Sequence, residues 1–334
     1  RDRFWSGTVW FCGVQLMQLF WLTSHPYSYI YFVWFILSFL MGIQWGFLTL
    51  FMTKQRLQNF SWIDVGAFSG LWIFLEWARL WVFSGFPFNP VGMTLAFWEY
   101  PLQLASIAGV YGLSFWVMIT NYLAVQCWLC KSKKKVFFWL LLAAFPYLFG
   151  WGHTWYQDLA APQGTLTALL LQPNFPSEET MGFASFEEAR EHVLQEWEEI
   201  AKSVYTALTS HPPVQIIGLP EYVVPYSAAF PAYSLSQVTE RLLSIFGKDV
   251  EQAWPPLEPP YAMWQEGYGE WFVSNSFISQ TIANWANASL VVGLEERESR
   301  MDQKKMYSSA FQFFPHATRQ ERYAKRVLVP MGEY

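Results

Sequence analysis

The sequence predicts a multi-helix transmembrane domain followed by a water-facing α/β domain. Hydrophobic residues make up 53% of the 334 residues and aromatic residues 20%, a composition too apolar for a single soluble domain. All the apolar runs that approach membrane-spanning length lie within residues 1–152, whereas residues 153–334 alternate charged helical stretches with short apolar strands. We therefore predict a transmembrane helical domain over 1–152 and a second domain over 153–334.

Five apolar segments are candidates for membrane spans, because about twenty apolar residues cross the hydrocarbon core. Basic residues lie before the first segment, after the second, and between the fourth and fifth, where Lys131 precedes three further lysines. By the positive-inside rule these alternate connections are cytoplasmic, and an odd number of spans places the second domain on the outer side. The segments are roughly residues 5–22, 27–53, 61–83, 102–129 and 136–152.

The third apolar segment contains two charged residues, Glu76 and Arg79. At a spacing of i and i+3 they lie on one helix face, where they can pair and so reduce the cost of burying charge. One interpretation is a structural ion pair near the helix end, with Arg79 reaching towards the interface. The alternative is a functional pair inside the membrane.

The second domain shows alternating strand and helix patterns, which predict a layered α/β architecture. In the first of its helices, apolar residues recur every three or four positions with glutamates between them, as in a helix that packs one face on a sheet. The predicted strands are 165–172, 214–219, 289–294, 306–314 and 322–329, and the predicted helices are 186–208, 236–246 and 271–285.

Cysteine usage and net charge exclude several functions. The three cysteines, Cys12, Cys127 and Cys130, all lie in the apolar half, so residues 153–334 contain neither a thiol nucleophile nor a disulfide. Cys127 and Cys130 form a C-x-x-C pair without further ligands nearby, so we predict no zinc or redox site at this pair. A net charge of -5 is too mild to indicate a nucleic-acid partner.

Two charged residues of the second domain lie where chemistry is expected. Glu221 follows Pro220 at the end of the apolar run 216–219, which we predict to be a buried strand. Strand ends are where α/β domains place reactive groups. A carboxylate lifted out of bulk water gains proton affinity, so we predict a general base with a raised pKa. Lys325 shares a strand face with Tyr323 and Val327 by the period-2 rule. The structural alternatives are a cap or surface glutamate and a snorkelling lysine.

These motifs resemble the nitrilase superfamily, whose catalytic residues are Glu, Lys and Cys, and more closely its membrane branch, the apolipoprotein N-acyltransferase family. Two matching motifs lie in the second domain: Leu219-Pro-Glu221, and the strand of Lys325 with the residues that follow it, Leu328-Val-Pro-Met-Gly-Glu-Tyr334. A third lies in the first domain, Glu76-Trp-Ala-Arg79 followed by Ser84-Gly-Phe-Pro-Phe88. A Tyr307-Ser-Ser309 strand matches a Tyr-Asn-Thr-type strand weakly. The resemblance implies a four-layer αββα sandwich, of which this chain has the first two thirds.

The resemblance also implies roles for the matching residues. Glu221 is the base, and Lys325 stabilises the oxyanion of the tetrahedral intermediate. Glu333 matches a second carboxylate near the triad, although an ion pair with Arg326 is an equal alternative. Glu76 and Arg79 belong to a helix beneath the catalytic domain, close to lipid.

The implied enzyme is a multi-pass protein of the bacterial inner membrane with a periplasmic catalytic domain, and it calls for no metal and no organic cofactor. A cysteine takes an acyl chain from a phospholipid as a thioester, and the α-amino group of the diacylglyceryl-cysteine of an apolipoprotein then accepts it. We expect this cysteine within about a hundred residues after Tyr334. The chain begins at Arg1 and stops inside a motif, so we expect it to be an excerpt of a longer protein that is inactive alone.

Two departures weaken the match at one loop. The usual Gln-Gly-x-x-Pro turn of the family is Gln172-Pro-Asn-Phe-Pro176 in this chain, and Met181 stands where a tryptophan is expected. The aromatic loops 222–233 and 254–264 either form a lid over a lipid chain or pack on the domain's own core.

Two alternative functions stay open. One is a membrane-tethered amidase of the same superfamily, in which water attacks the thioester. The other is a receptor or transporter whose outer domain only binds a ligand, with Glu76 and Arg79 on its substrate path.

Overall fold

The computed structural model describes residues 1–25, 27–59, 61–81, 85, 87–160, 164–173, 183–210, 213–300, 303–317, 319–326 and 328. They form two compact units, one within Arg1–Ala161 and one within Pro162–Arg326. The first is helical and the second contains a mixed sheet with helices.

The first unit consists of helices joined by short connections. A capping box of Ser61 and Asp64 starts the fourth helix, and Lys131, at a φ of 47°, ends the sixth two residues before the seventh begins. Within the sixth helix Gly109 has a φ of 61°, a left-handed conformation that glycine adopts readily, and the helix is kinked there. The helices are α1 (Asp2–Gln18), α2 (Ile30–Phe51), α3 (Lys54–Gln58), α4 (Trp62–Ala78), α5 (Glu99–Leu102), α6 (Ala105–Cys130) and α7 (Lys133–Leu159).

Three of the described helices, α2, α6 and α7, are long and apolar enough to cross a membrane. The prediction of five spans is therefore confirmed for three segments only. Helices α1 and α4 lie in the first and third predicted segments. Each has 17 residues and is about 25 Å long, less than the ~30 Å hydrocarbon core. The last helix, α7, has 27 residues and is longer than the predicted segment 136–152.

Apolar side chains from α2, α4 and α6 form the main core of the first unit. Its aromatic residues include Phe68, Trp72 and Tyr122, with Phe68 and Tyr122 in edge contact at 6.0 Å between ring centroids. Many large apolar residues of α7 are exposed instead, as expected for a helix that faces lipid.

The second unit has a five-stranded sheet in the order β1-β2-β6-β7-β8. Strands β1, β2 and β6 are parallel, and β6, β7 and β8 are antiparallel. A second, three-stranded sheet has the order β3-β5-β4. The elements are β1 (Ala168–Leu170), α8 (Phe186–Ser210), β2 (Ile216–Gly218), β3 (Tyr233–Ser234), α9 (Leu235–Phe246), β4 (Ala262–Gln265), β5 (Glu270–Val273), α10 (Asn275–Ala286), β6 (Ser289–Arg300), β7 (Gln303–Phe313) and β8 (Glu321–Ala324).

The two faces of β6 and β7 differ in character. Leu290, Val292, Phe311 and Phe313 alternate along the strands and are fully buried in the core that α8, α9 and α10 share. The opposite face carries small and polar residues, among them Ala310, which is exposed. One face of this hairpin therefore holds the domain together while the other is free for a site.

Several predicted elements need correction. The predicted helix 271–285 is in fact strand β5 followed by α10, because Ser274 accepts a hydrogen bond from the Phe277 N–H and caps a new helix there. The β3-β5-β4 sheet was not predicted. The α8 helix and its buried stripe are confirmed, and the layered α/β class is confirmed in the coarse sense of a mixed sheet with helices. The four-layer αββα sandwich stays a prediction.

Candidate functional site

Glu221 lies just beyond β2, where the chain continues beside the central strand β6. The Leu219 N–H donates to the Val291 carbonyl at 2.8 Å, and the Gly293 N–H donates to the Pro220 carbonyl at 3.1 Å. These bonds extend the parallel pairing past the last residue of β2 and fix the backbone on the N-terminal side of Glu221. The carboxylate thus stands at the carboxyl end of a parallel strand, as the sequence predicted.

Gly293 of β6 allows the backbone at Glu221 to approach closely. A Cβ atom at position 293 would lie 2.5 Å from the Glu221 Cα and 2.8 Å from the Pro220 carbonyl oxygen. Both contacts are with backbone, which cannot move aside as a flexible side chain can. A glycine at this position is therefore what lets Glu221 lie directly over β6.

We expect Gly293→Ala to destabilise the full-length protein by about 1–3 kcal/mol, the usual range for overpacking a close contact. Thermal unfolding followed by circular dichroism would show this as a lower Tm. Gly267→Ala is a matched control, since a Cβ there meets no atom within 4 Å. Equal Tm values for the two variants would contradict the close approach.

Lys325 approaches the same place from the end of the edge strand β8. Its backbone N–H donates to the Ser308 carbonyl at 2.8 Å, which continues the β7–β8 pairing by one residue beyond Ala324. Lys325 and Ser308 therefore stand opposite each other and project from one face. Tyr323 and Lys325 line the same cavity, in agreement with the predicted alternation.

The two charged residues meet, although 104 positions separate them in the chain. Glu221 Oε1 accepts a hydrogen bond from Lys325 Nζ at 3.0 Å and one from Ser308 Oγ at 2.9 Å. They border a cavity of about 280 Å³, with Gly293 and Ala310 among its lining residues. The carboxylate of Glu221, the ammonium of Lys325 and the hydroxyl of Ser308 thus converge beside a cavity whose walls are mostly apolar.

The expectation of a raised pKa at Glu221 was wrong. Hydrogen bonds from Lys325 and from Ser308 stabilise the charged form and hold the pKa of Glu221 below its ordinary value of 4.5. Desolvation acts in the opposite direction but is weak, because the side chain is 58% exposed. Since the folded-state pKa is lowered, the pair stabilises the fold above pH 4.5, and this contribution is lost as the pH falls through the lowered pKa.

Ser308 is a site residue that the sequence reasoning did not single out. The Tyr307-Ser-Ser309 motif drew notice only as a weak family match. The usable signal was the strand register, because alternation along β7 separates Ser308, which faces the site, from the buried Ser309. Assigning that register needed the pairing of β7 with both neighbours.

The loop that follows Glu221 is anchored by a buried asparagine at the start of α10. Asn275 donates through Nδ2 to the carbonyls of Pro225 and Tyr226 at 3.0 and 3.1 Å. Its Oδ1 accepts from Trp197 Nε1 and Tyr233 Oη, each at 2.9 Å. This network satisfies buried polar groups and ties the loop to the core, so the backbone is held on both sides of Glu221.

Loop 222–233 contributes several residues to the core of the second unit, among them Val223, Val224 and Tyr233, whereas Tyr222 is half exposed. In loop 254–264, Tyr261 is buried and Trp264 is half exposed. Packing on the domain's core thus accounts for part of each aromatic loop.

In the first unit, Glu76 and Arg79 form a buried ion pair, with 3.5 Å between Glu76 Oε1 and Arg79 Nη2. Glu76 Oε1 also accepts from Trp72 Nε1 at 2.8 Å and from the Val91 N–H at 2.7 Å. Arg79 donates to the Phe88 carbonyl at 3.1 Å. The pair therefore holds the segment around residues 88–91 against α4.

Other predicted positions lie outside the described residues. They include Glu333, with the motif around it, and Met181. The 84–88 loop and the 172–176 turn are described only in part, since Ser84, Phe86 and residues 174–176 fall outside.

Comparison with known proteins identifies one family. Residues 1–123 match the model of the apolipoprotein N-acyltransferase N-terminal domain. Among curated proteins, the apolipoprotein N-acyltransferase of Chlamydia pneumoniae is 26% identical over an alignment that covers 100% of this chain and 57% of the relative. That of Chlamydia trachomatis serovar D is 27% identical over 98% of the chain and 55% of the relative. The chain therefore spans a little over half the length of these relatives.

Proposed function

The chain belongs to the apolipoprotein N-acyltransferase family, and from this premise we propose that it carries the base and the oxyanion-stabilising cation of a membrane-bound acyltransferase. The observation that best supports the proposal is the contact between Glu221 and Lys325 at the cavity rim. A structural ion pair needs no cavity beside it. A reaction site does, because substrate atoms must approach both groups.

The proposed reaction has two half-reactions. A cysteine thiolate attacks the ester carbonyl of a phospholipid, and the tetrahedral intermediate collapses to an acyl-thioester with release of the lysophospholipid alcohol. The free α-amino group of the diacylglyceryl-cysteine of an apolipoprotein then attacks the thioester and forms an amide, and the proton that the amine loses passes through Glu221 to the released sulfur, which restores the thiol. In this proposal the nucleophile is a cysteine outside residues 1–334, because residues 153–334 contain none.

Glu221 and Lys325 divide the work in this scheme. The lowered pKa keeps Glu221 ionised at neutral pH, the state that accepts the thiol proton and later returns it to the leaving alkoxide. The same shift makes it a weaker base. The ammonium of Lys325 offsets this, because a nearby cation favours the thiolate and also stabilises the oxyanion of each tetrahedral intermediate.

An acyl-transfer assay with the full-length protein tests this function. We expect a labelled acyl chain to pass from a phospholipid to a diacylglyceryl-cysteine peptide with a free α-amino group, and not to the same peptide N-acetylated. Release of labelled fatty acid without transfer would favour the amidase-type alternative. Absence of any covalent turnover would favour a binding protein.

We further propose that this is a multi-pass protein of the bacterial inner membrane with residues 153–334 in the periplasm, as the basic connections indicate. In a full-length variant without Cys12, Cys127, Cys130 and the proposed nucleophilic cysteine, a membrane-impermeant thiol reagent added to intact spheroplasts should label Gly164→Cys but not Lys133→Cys. Both positions are exposed. Permeabilised cells provide the control, in which both should react. The opposite pattern in intact spheroplasts would reverse the orientation.

A further inference from the structure

A pocket of about 340 Å³ lies in the first unit, and neither Glu76 nor Arg79 lines it. It is formed by the start of α4, the end of α6 and the start of α7. Helices α6 and α7 are both long and apolar enough to cross a membrane, and only two residues connect them at this end. The pocket therefore lies where two candidate spans leave the hydrocarbon core together, at the level of lipid headgroups.

The walls and the rim of this pocket differ in chemistry. Val65 and Leu123 are buried and form an apolar wall with Phe138, whereas Lys134 and Lys135 supply two positive charges. No carboxylate is among the described residues that line it. The neighbouring Asp64 accepts hydrogen bonds from Ser61 and lies 3.9 Å from Arg56, so its charge is already compensated.

We propose that this pocket binds the phosphate-bearing headgroup of an anionic phospholipid. Lysine ammonium groups attract the phosphate, and the apolar wall next to them suits the first carbons of the acyl chains, which a free anion lacks. The exposed Trp62 at the pocket is typical of residues at the membrane interface. Basic pockets between membrane helices are a recognised form of lipid headgroup site.

This lipid is not the acyl donor of the proposed reaction. The pocket borders the basic connection between α6 and α7, which is cytoplasmic in the topology proposed above, whereas the proposed reaction takes place on the periplasmic side. The bound lipid would instead stabilise the junction of α4, α6 and α7 from the leaflet into which the pocket opens. Lipid binding at this pocket and acyl transfer can therefore be tested separately.

Native mass spectrometry of the detergent-solubilised full-length protein tests the proposal. Phosphatidylglycerol is titrated as the anionic lipid, phosphatidylcholine as the zwitterionic lipid, and inorganic phosphate as the headgroup chemistry alone. We expect one phosphatidylglycerol to be retained in preference to phosphatidylcholine. The Lys134→Gln/Lys135→Gln variant should bind it more weakly by a factor on the order of ten or more.

The matched control is Lys131→Gln/Lys133→Gln, which removes the same charge from the same connection but from residues that do not line the pocket. It should bind phosphatidylglycerol within about twofold of the unaltered protein, because pocket contacts rather than diffuse charge carry the affinity. Equal weakening of both variants would overturn the pocket as a site. If inorganic phosphate displaced phosphatidylglycerol and Phe138→Ala bound phosphatidylglycerol with unchanged affinity, the ligand would be a free anion and not a lipid.

Folding is checked separately by size-exclusion profile and by Tm without added lipid, both expected to be similar for the two double variants. If Lys134→Gln/Lys135→Gln fails this check, Phe138→Ala provides the second measurement. It keeps both lysines and should still weaken phosphatidylglycerol binding. A Phe138→Ala protein with full affinity and preference for this lipid would contradict the proposal.

Discussion

Glu221→Gln in the full-length protein should abolish formation of the acyl-thioester. The amide keeps the size of the side chain and can still accept the hydrogen bonds from Ser308 and Lys325, but it cannot take the proton of a thiol. Incubation with a labelled phospholipid, followed by denaturing electrophoresis without thiol reductant, measures the covalent intermediate directly. We expect no labelled protein band above background.

Glu251→Gln is the matched control, because it makes the same chemical change at an exposed glutamate of the same unit. It should accumulate thioester at the normal rate. If Glu221→Gln forms the thioester normally and loses only transfer to the amine, Glu221 is not the base of the first step. Normal turnover in both steps would make it a structural partner of Lys325.

Lys325→Met should slow acyl transfer by about a hundredfold or more, the scale on which loss of one oxyanion-stabilising group acts. Methionine keeps an apolar stem on the strand face next to Tyr323 while removing the ammonium group. The expected loss is in kcat, because the charge that Lys325 meets develops only in the tetrahedral intermediates.

Lys305→Met supplies the control for this change, since Lys305 is an exposed lysine of β7 that does not line the cavity. It should retain normal kcat, and both variants should give the same yield of membrane-inserted protein. Near-normal turnover of Lys325→Met would return Lys325 to the role of an ion-pair partner of Glu221.

The sequence was most informative where a single local pattern determines the outcome. The apolar stripe of α8 predicted both the helix and its buried face, because residues that recur with a 3.6-residue period lie on one side of a helix. The run before Glu221 likewise predicted a strand that ends at a carboxylate. Three of the five predicted membrane segments coincide with helices long and apolar enough to cross a membrane. The first predicted segment runs past the end of α1, because its apolar residues continue into the turn that follows that helix.

Properties that depend on tertiary neighbours could not be predicted in this way. The pKa of Glu221 is lowered because Ser308 and Lys325 reach it, and their approach depends on a register that local pattern does not set. The helix predicted over 271–285 failed for a similar reason. Residues 270–273 are apolar enough for either state, and pairing with β3 and β4 makes them a strand.

The pairing of β6 with both β2 and β7 has a consequence for how the protein matures. Glu221 can meet Lys325 only after the 104 residues that follow Glu221, up to and including Lys325, have been synthesised, roughly 5 to 20 s of translation at 5–20 residues per second. Until β6 (Ser289–Arg300) has been synthesised, β2 has no β6 to pair with, and its parallel edge is open to wrong partners. A nascent chain arrested before β6 should therefore be sensitive to proteases at residues 213–228, and one that includes β8 should be protected there.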